Sequence, residues 1–407
     1  MRLREKNKRK TILLCAVIFI SLCILFFIFF QPKTRAYATE TSVQPTAMET
    51  DTSLQETIEE QLENLDLKAL EEYLRSIGQL SNETLAQRLS TYVKGAKFDF
   101  SDFGNALLDA FLSKVTLLLP SFAVIAAITL LAGVMSTIKS NAGGQTASEM
   151  IFLITYAASM IPIFAVLLEC FRDTIQCVGQ MREQMQLIYP IMLTLMAASG
   201  GSVSASVCRP AVGFFSTSIV SIISGVVFPL TIAIIVLSMA GNLTKELKIG
   251  KFSTFFKSIN KWIIGICVSV FGIFFTLQGI TTAIYDGVVR RAAKYAIGNG
   301  IPIVGGFLSG GFDLAVAGSV LIKNSLGSMG IVMMLTVLIE PLVLLISTTV
   351  LLRLISAVTQ PFGDSRISDF LGETADNLQY CTAGLLITAF LYFLTIVLMI
   401  YSTEALF

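Results

Sequence analysis

Glu340 stands between Ile339 and Pro341 inside the long apolar run Met329 to Ser356. An ionisable group in such a run is expensive in hydrocarbon and is a functional candidate by default. Pro341 has no amide hydrogen and clashes with the preceding turn, which leaves a carbonyl free beside the carboxyl. A carboxyl next to an opened backbone can bind a cation or relay a proton. Protonated, or paired with a lysine or arginine, it would instead fix helix packing. Asp313 lies in an unusual stretch, Ser309 to Ser319, where it either acts or caps a half-helix. A matching stretch runs from Ala198 to Ser206. Gly200, Gly201, Gly310 and Gly311 sit inside these two stretches, and Arg209 and Lys323 close them. Small residues let backbones approach closely, and broken helices aim their dipole ends at a ligand. Tight packing without a ligand is the plainer alternative. Arg209 and Lys323 either mark the membrane interface with long basic side chains or contact a substrate.

What is missing narrows the chemistry. The chain has no histidine, which removes Ser-His-Asp and Cys-His catalysis, His-ligated metals and His-based pH switching. None of the seven cysteines forms a C-x-x-C pair, so no zinc or thioredoxin-like site is expected. Cys170 and Cys177 lie on one helical face and could pair if their segment is outside the cell. There is no nucleotide-binding loop and no clustered carboxylate site, so we expect no enzyme, no metal and no cofactor. A net charge of +1 predicts no attraction to nucleic acid.

The elements that must position these residues are membrane helices. Of the 407 residues, 54% are hydrophobic and 14% charged, against roughly 25% charged in soluble domains. Residues 1–38 read as a signal peptide: a basic start, the apolar run Ile12 to Phe30, and Ala36-Tyr37-Ala38, with cleavage after Ala38. An uncleaved anchor is the alternative, and either puts residue 39 outside the cytoplasm. Residues 39–110, with fourteen acidic residues against five basic, read as an acidic extracytoplasmic linker followed by amphipathic helices. Those helices would dock on the membrane or on a partner. Residues 111–185 hold the first two spans, Val115 to Ile138 and Met150 to about Phe171, followed by a polar connection from Arg172 to Gln184. The mature chain is expected to cross six to eight times.

Beyond residue 185 the pattern repeats. Pro190 and Pro302 are 112 residues apart, as are Pro229 and Pro341, and Ser199-Gly-Gly and Ser309-Gly-Gly are 110 apart. The spacing predicts two related units, 186–295 and 296–407, each with a broken or re-entrant helix. The expected fold is therefore an all-α polytopic helical bundle of two repeats with a small acidic helical N-terminal region. The connection 242–261 is net +4 and its counterpart 361–378 net −3. The positive-inside rule puts the first in the cytoplasm and permits the second outside, which would make the repeats inverted. Arg290, Arg291 and Lys294 complicate that count.

Two long ungapped segments also carry a resemblance. Tyr189 to Ala205, continuing through Arg209-Pro210, and Asp286 to Tyr295, running through Gly298-Asn-Gly-Ile-Pro302 to Gly327, resemble the stage III sporulation protein AE family of endospore-forming Firmicutes. The likeness extends over roughly 110–405. It implies a non-catalytic, multi-pass subunit of a secretion-like channel complex in the mother-cell membrane around the forespore, acting during engulfment and required for forespore development. The implied partners are the other stage III sporulation A operon proteins, AA to AH, and through them stage II sporulation protein Q. The family supplies no catalytic residues. From the residues themselves, a permease-like subunit moving a small solute or ion is the alternative.

Overall fold

A main-chain N–H or C=O in hydrocarbon has no water to turn to, so apolar sequence of this extent must fold as helix. The computed structural model is built that way. It describes residues 100–140, 145–243, 250–274, 305–361 and 365–404, together with 67–76 and single positions between 57 and 89. Residues 1–54, with the expected signal peptide and its cleavage position Ala38, lie outside the described residues. No strand occurs among the described residues.

A short α1 (Lys68–Ser76) precedes the membrane body. The body contains α2 (Phe100–Ser140), α3 (Gln145–Ala198), α4 (Ser202–Phe214), α5 (Phe228–Leu243), α6 (Gly250–Phe274), α7 (Gly305–Thr359) and α8 (Ser365–Glu404). Among the described residues, six stretches of helix are long and apolar enough to cross a membrane, with α4 and α5 contributing to one of them. The expected all-α polytopic bundle is the observed one, and the chain is a multi-pass membrane protein.

The helices run far past a bilayer. At 1.5 Å per residue the 54 residues of α3 and the 55 of α7 are each about 80 Å long. The polar stretch from Arg172 to Gln184 is not a connection, as the hydropathy suggested, but the middle of α3. The reason is amphipathicity: Thr174, Cys177, Val178, Met181, Gln184, Met185 and Ile188 are buried at helical spacing, while Arg172, Gln176, Glu183 and Gln186 face out.

Side-chain pairs fix how the helices run. Cys170 Sγ lies 3.3 Å from Thr348 Oγ1 and the Cys177 thiol donates to the Val337 carbonyl at 3.4 Å, so α3 and α7 are antiparallel. Each thiol thus has its own partner on α7, and both cysteines are free and buried, which rules out the considered disulfide. From the turn after α3, α4 and α5 return along it until the Tyr156 hydroxyl donates to the Met239 carbonyl at 2.8 Å. Between α4 and α5 the chain takes two π-helical turns, Phe215–Ile219 and Ile223–Val227. The second hands directly to Phe228-Pro229. A π turn widens the backbone where the proline ring would clash with an α-helical carbonyl, so Pro229 is absorbed without a break.

Two expectations about placement change. The amphipathic N-terminal segment docks on the chain itself. Leu62, Leu70, Leu74, Leu85 and Leu89 are buried, and Gln61 Nε2 donates to the Ala315 carbonyl of α7 at 2.9 Å. Gln184 Nε2 of α3 donates to the Tyr73 hydroxyl at 3.3 Å. Burial raises the Tyr73 phenol above its ordinary pKa, against the opposing pull of that hydrogen bond. Secondly, the end of α5 that leads into the Lys-rich connection and the acidic start of α8 lie at one end of the bundle, not at opposite ends. Ser238, five residues before the end of α5, donates to Glu373, eight residues into α8. The acidic segment is held there by partners, since carboxylates carry little weight in the positive-inside rule.

Candidate functional site

Gly200 and Gly201 form the hairpin between α3 and α4. The Gly201 N–H reaches the Met196 carbonyl at 3.0 Å and the Gly200 N–H the Ala197 carbonyl at 3.1 Å. This is a Schellman cap, and its left-handed residue is Gly200 with φ 91°. Helix α4 then starts at once, with the Ala205 N–H on the Gly201 carbonyl at 2.8 Å. The broken helix expected at 198–206 is therefore a tight helical hairpin. Any side chain at 200 meets the left-handed penalty of about 1–2 kcal/mol. Gly200→Ala should lower the unfolding free energy in detergent by that amount, whereas Gly179→Ala, on an open face of α3, should not.

The counterpart stretch takes a different backbone. Ser309 to Ser319, with Gly310 and Gly311, lies inside the continuous helix α7. The Schellman hydrogen bonds that close Gly200 replace the helical ladder there, while 309–319 keeps its ladder through both glycines. Asp313 is the ninth residue of α7, inside the helix and not at its first turn.

Lys323 is fully buried and its Nζ donates to the Ile400 carbonyl of α8 at 2.9 Å. It stands inside the bundle, not at a membrane interface. Arg209 is exposed in a groove between α3 and α4 lined also by Gln186, Tyr189, Thr194 and Thr217.

Glu340 pairs with Lys114 of α2 at 2.8 Å, with the carboxylate side chain 69% exposed. Glu169 and Asp173 of α3 act on the same ammonium. Glu340 is nineteen residues from Thr359, the end of α7, or about 28 Å along the helix. A hydrocarbon core of about 30 Å entered at that end therefore finishes near Glu340. At about 80 Å, α7 is well over twice as long as a span, so the middle of the apolar run does not define the middle of the membrane. Asp313, Lys323, Glu340 and Arg209 are spread along the bundle and do not converge.

A constellation the sequence reading passed over does converge. Arg353 Nη2 of α7 meets Asp376 Oδ1 of α8 at 3.1 Å, with the side chains 40% and 31% exposed. One turn earlier on α8, Glu373 accepts from Ser238 of α5. Beside them Ser356 donates to the Ser368 carbonyl at 2.8 Å. Val350, Leu354 and Val358 of α7 are exposed apolar residues of the same stretch. The ionised groups thus sit at a depth where the outside of the bundle is built for lipid. Two signals were available: Arg353 within an apolar run, and Asp369, Glu373 and Asp376 recurring at helical spacing.

The comparisons with known proteins agree with one another. The family model of stage III sporulation protein AE matches residues 84–403. The Bacillus subtilis (strain 168) stage III sporulation protein AE is 23% identical over 273 residues, covering 67% of this chain and 68% of that relative. No solved structure matches the chain.

Proposed function

Because the chain belongs to the stage III sporulation protein AE family, we propose that this sporulation protein is a polytopic subunit of the stage III sporulation A channel complex in the mother-cell membrane around the forespore. It serves forespore development without catalysis, in contact with the other operon-encoded proteins and through them with stage II sporulation protein Q. The observation that carries this reading is the length of α3 and α7. Helices of about 80 Å leave roughly 50 Å outside a hydrocarbon core of about 30 Å. The surplus is a rod with a solvated face, Arg172, Gln176, Glu183 and Gln186, which partner proteins can grip.

Orientation follows from charge. The segment joining α5 to α6 carries Lys245 and Lys248, with Lys251 just inside α6, which favours the cytoplasm for that end of the bundle. The docked N-terminal segment and the Gly200 hairpin then lie outside the cytoplasm. We take 186–295 and 296–407 as copies of one duplicated unit that have diverged in backbone at the Gly/Ser stretch.

Purification of the tagged chain from sporulating cells in gentle detergent tests the assignment. Co-elution of other operon-encoded proteins is expected, and a well-folded chain that elutes alone overturns it. The permease-like reading draws support from the Arg353–Asp376 pair at lipid depth. Glu340→Gln separates the two. An exposed pair such as Lys114–Glu340 is worth about 0–1 kcal/mol, so a structural subunit should keep spore yield near wild type. If Glu340 carried an ion or proton, the variant would insert and assemble yet fail to sporulate.

A further inference from the structure

Helix α6 meets the rest of the bundle along one narrow seam. Ser253, Asn260, Cys267 and Phe271 are buried at helical spacing, and Asn260 Nδ2 donates to Thr231 Oγ1 of α5 at 2.9 Å. The opposite face is bare. Phe255, Trp262, Ile266 and Ile273 are exposed there, Trp262 by 71%. Lys261 is the last charged residue before Asp286, so residues 262–285 form an uncharged stretch long enough to cross a membrane. Lys251, Lys257 and Lys261 precede it. Lys251 and Lys261 are exposed and have no partner among the described residues.

A groove runs down this bare face from Lys261. Its volume is about 560 Å³, and Trp262, Ile266, Ser269 and Ile273 line it. Gly265 keeps it open. Nothing in the chain lies within 4 Å of a Cβ at Gly265, so no internal contact requires that glycine, which costs about 1 kcal/mol of helix propensity against alanine. From Lys261 to Ile273 the groove is about 18 Å long. That is close to one leaflet of a hydrocarbon core about 30 Å thick.

We propose that this face of α6 binds an anionic phospholipid, with the headgroup phosphate held by Lys257 and Lys261 and one acyl chain laid along Gly265 and Ser269. Charge complementarity selects the occupant. Basic residues beside a span attract anionic lipid, and tryptophan suits the headgroup level. The lysine stems lie along apolar surface while their ammonium groups reach the phosphate. A second copy of the chain is the poorer occupant. Inserted in the same orientation and related by two-fold symmetry, it would set Lys261 against its own counterpart, like charge on like charge. The site requires neither a partner protein nor a particular side of the membrane for this end of the bundle.

Trp262 is the only tryptophan in the chain, so its fluorescence reads this site directly. The full chain is reconstituted in phosphatidylcholine vesicles carrying increasing fractions of a dibrominated lipid, either phosphatidylglycerol or phosphatidylcholine, whose bromines quench an indole on contact. Phosphatidylglycerol should quench at a mole fraction about fivefold lower, or less, which is the worth of one lysine near an anionic surface. Lys257→Gln with Lys261→Gln should bring the two curves together, while Lys257→Arg with Lys261→Arg should keep them apart. Equal quenching by both lipids in the unsubstituted chain overturns the site and leaves ordinary lipid contact. No quenching by either lipid overturns it too, because a protein surface then covers Trp262. A preference for phosphatidylglycerol that survives the double glutamine variant places the selectivity elsewhere and is equally fatal. The purified chain carries no partner, so failure here and failure of the sporulation assignment are told apart.

Discussion

Gly330→Leu should unfold the centre of the bundle, lowering stability by about 3 kcal/mol. A Cβ at 330 would stand 2.9 Å from Ile396 Cδ1 of α8 and 3.2 Å from Ile188 Cδ1 of α3. At Gly327, one turn earlier, it would stand 2.6 Å from Ile400 Cδ1 and 3.2 Å from Met192 Cε. The two glycines open one face of α7 to both neighbouring helices, the small-xxx-small logic by which membrane helices close without a hydrophobic driving force. Alanine is a milder test. At 330 its methyl meets the Cδ1 ends of Ile396 and Ile188 and, at 3.6 Å, the Tyr392 hydroxyl, and it regains about 1 kcal/mol of helix propensity. Gly330→Ala should therefore change stability by less than about 1 kcal/mol. Gly179→Leu is the matched control, since nothing lies within 4 Å of a Cβ there. Circular dichroism melts of the purified chain in mild detergent read the series. Equal melts for Gly330→Leu and Gly179→Leu would show that the α3–α7–α8 packing is not as described.

These glycines also show where sequence and structure part. Helical class and amphipathic faces are local properties, readable from spacing: Leu70 and Leu74 repeat every turn and are buried. What local pattern cannot give is how long a helix continues. Arg172 to Gln184 and Ser365 to Leu378 look like connections because each is polar, yet both belong to helices of 40 residues or more. Their polar residues are supplied by a partner helix or by solvent. The same ambiguity moved attention to Glu340 and away from Arg353 and Asp376. Apolar neighbours in sequence made Glu340 look deep, whereas its side chain is exposed and paired with Lys114 on a helix far longer than a span. Asp376 looked exposed because it has Glu373 and Asn377 beside it, whereas α5 and α7 draw that turn into the bundle. The two Gly/Ser stretches share a Ser-Gly-Gly start and have different outcomes for a similar reason. At 199–201 a second helix, α4, folds back on the first, whereas 309–319 stays within one helix.

Arg353→Leu and Asp376→Leu, made singly, should each cost about 2–3 kcal/mol, and the double variant should recover most of the loss. Removing one partner of a fully buried pair typically costs about 3–5 kcal/mol, because the remaining charge is left without compensation. Here the side chains are 40% and 31% exposed, which tempers the effect. Replacing both with leucine removes both charges from a depth where Val350, Leu354 and Val358 already face outward, so the double variant suits lipid. The coupling from the cycle should be at least about 1 kcal/mol. Arg353→Lys should fall between, since an ammonium keeps the charge but lacks the planar fork. Additive losses with no coupling would mean that the two charges are independently solvated and that the pair organises nothing. Strong coupling together with wild-type sporulation in the double variant would make the pair architectural. Strong coupling with restored stability but lost sporulation would instead make the Arg353–Asp376 pair the part of this membrane body that acts. Stability and spore yield, measured on the same four chains, therefore separate a helix clamp from a working site.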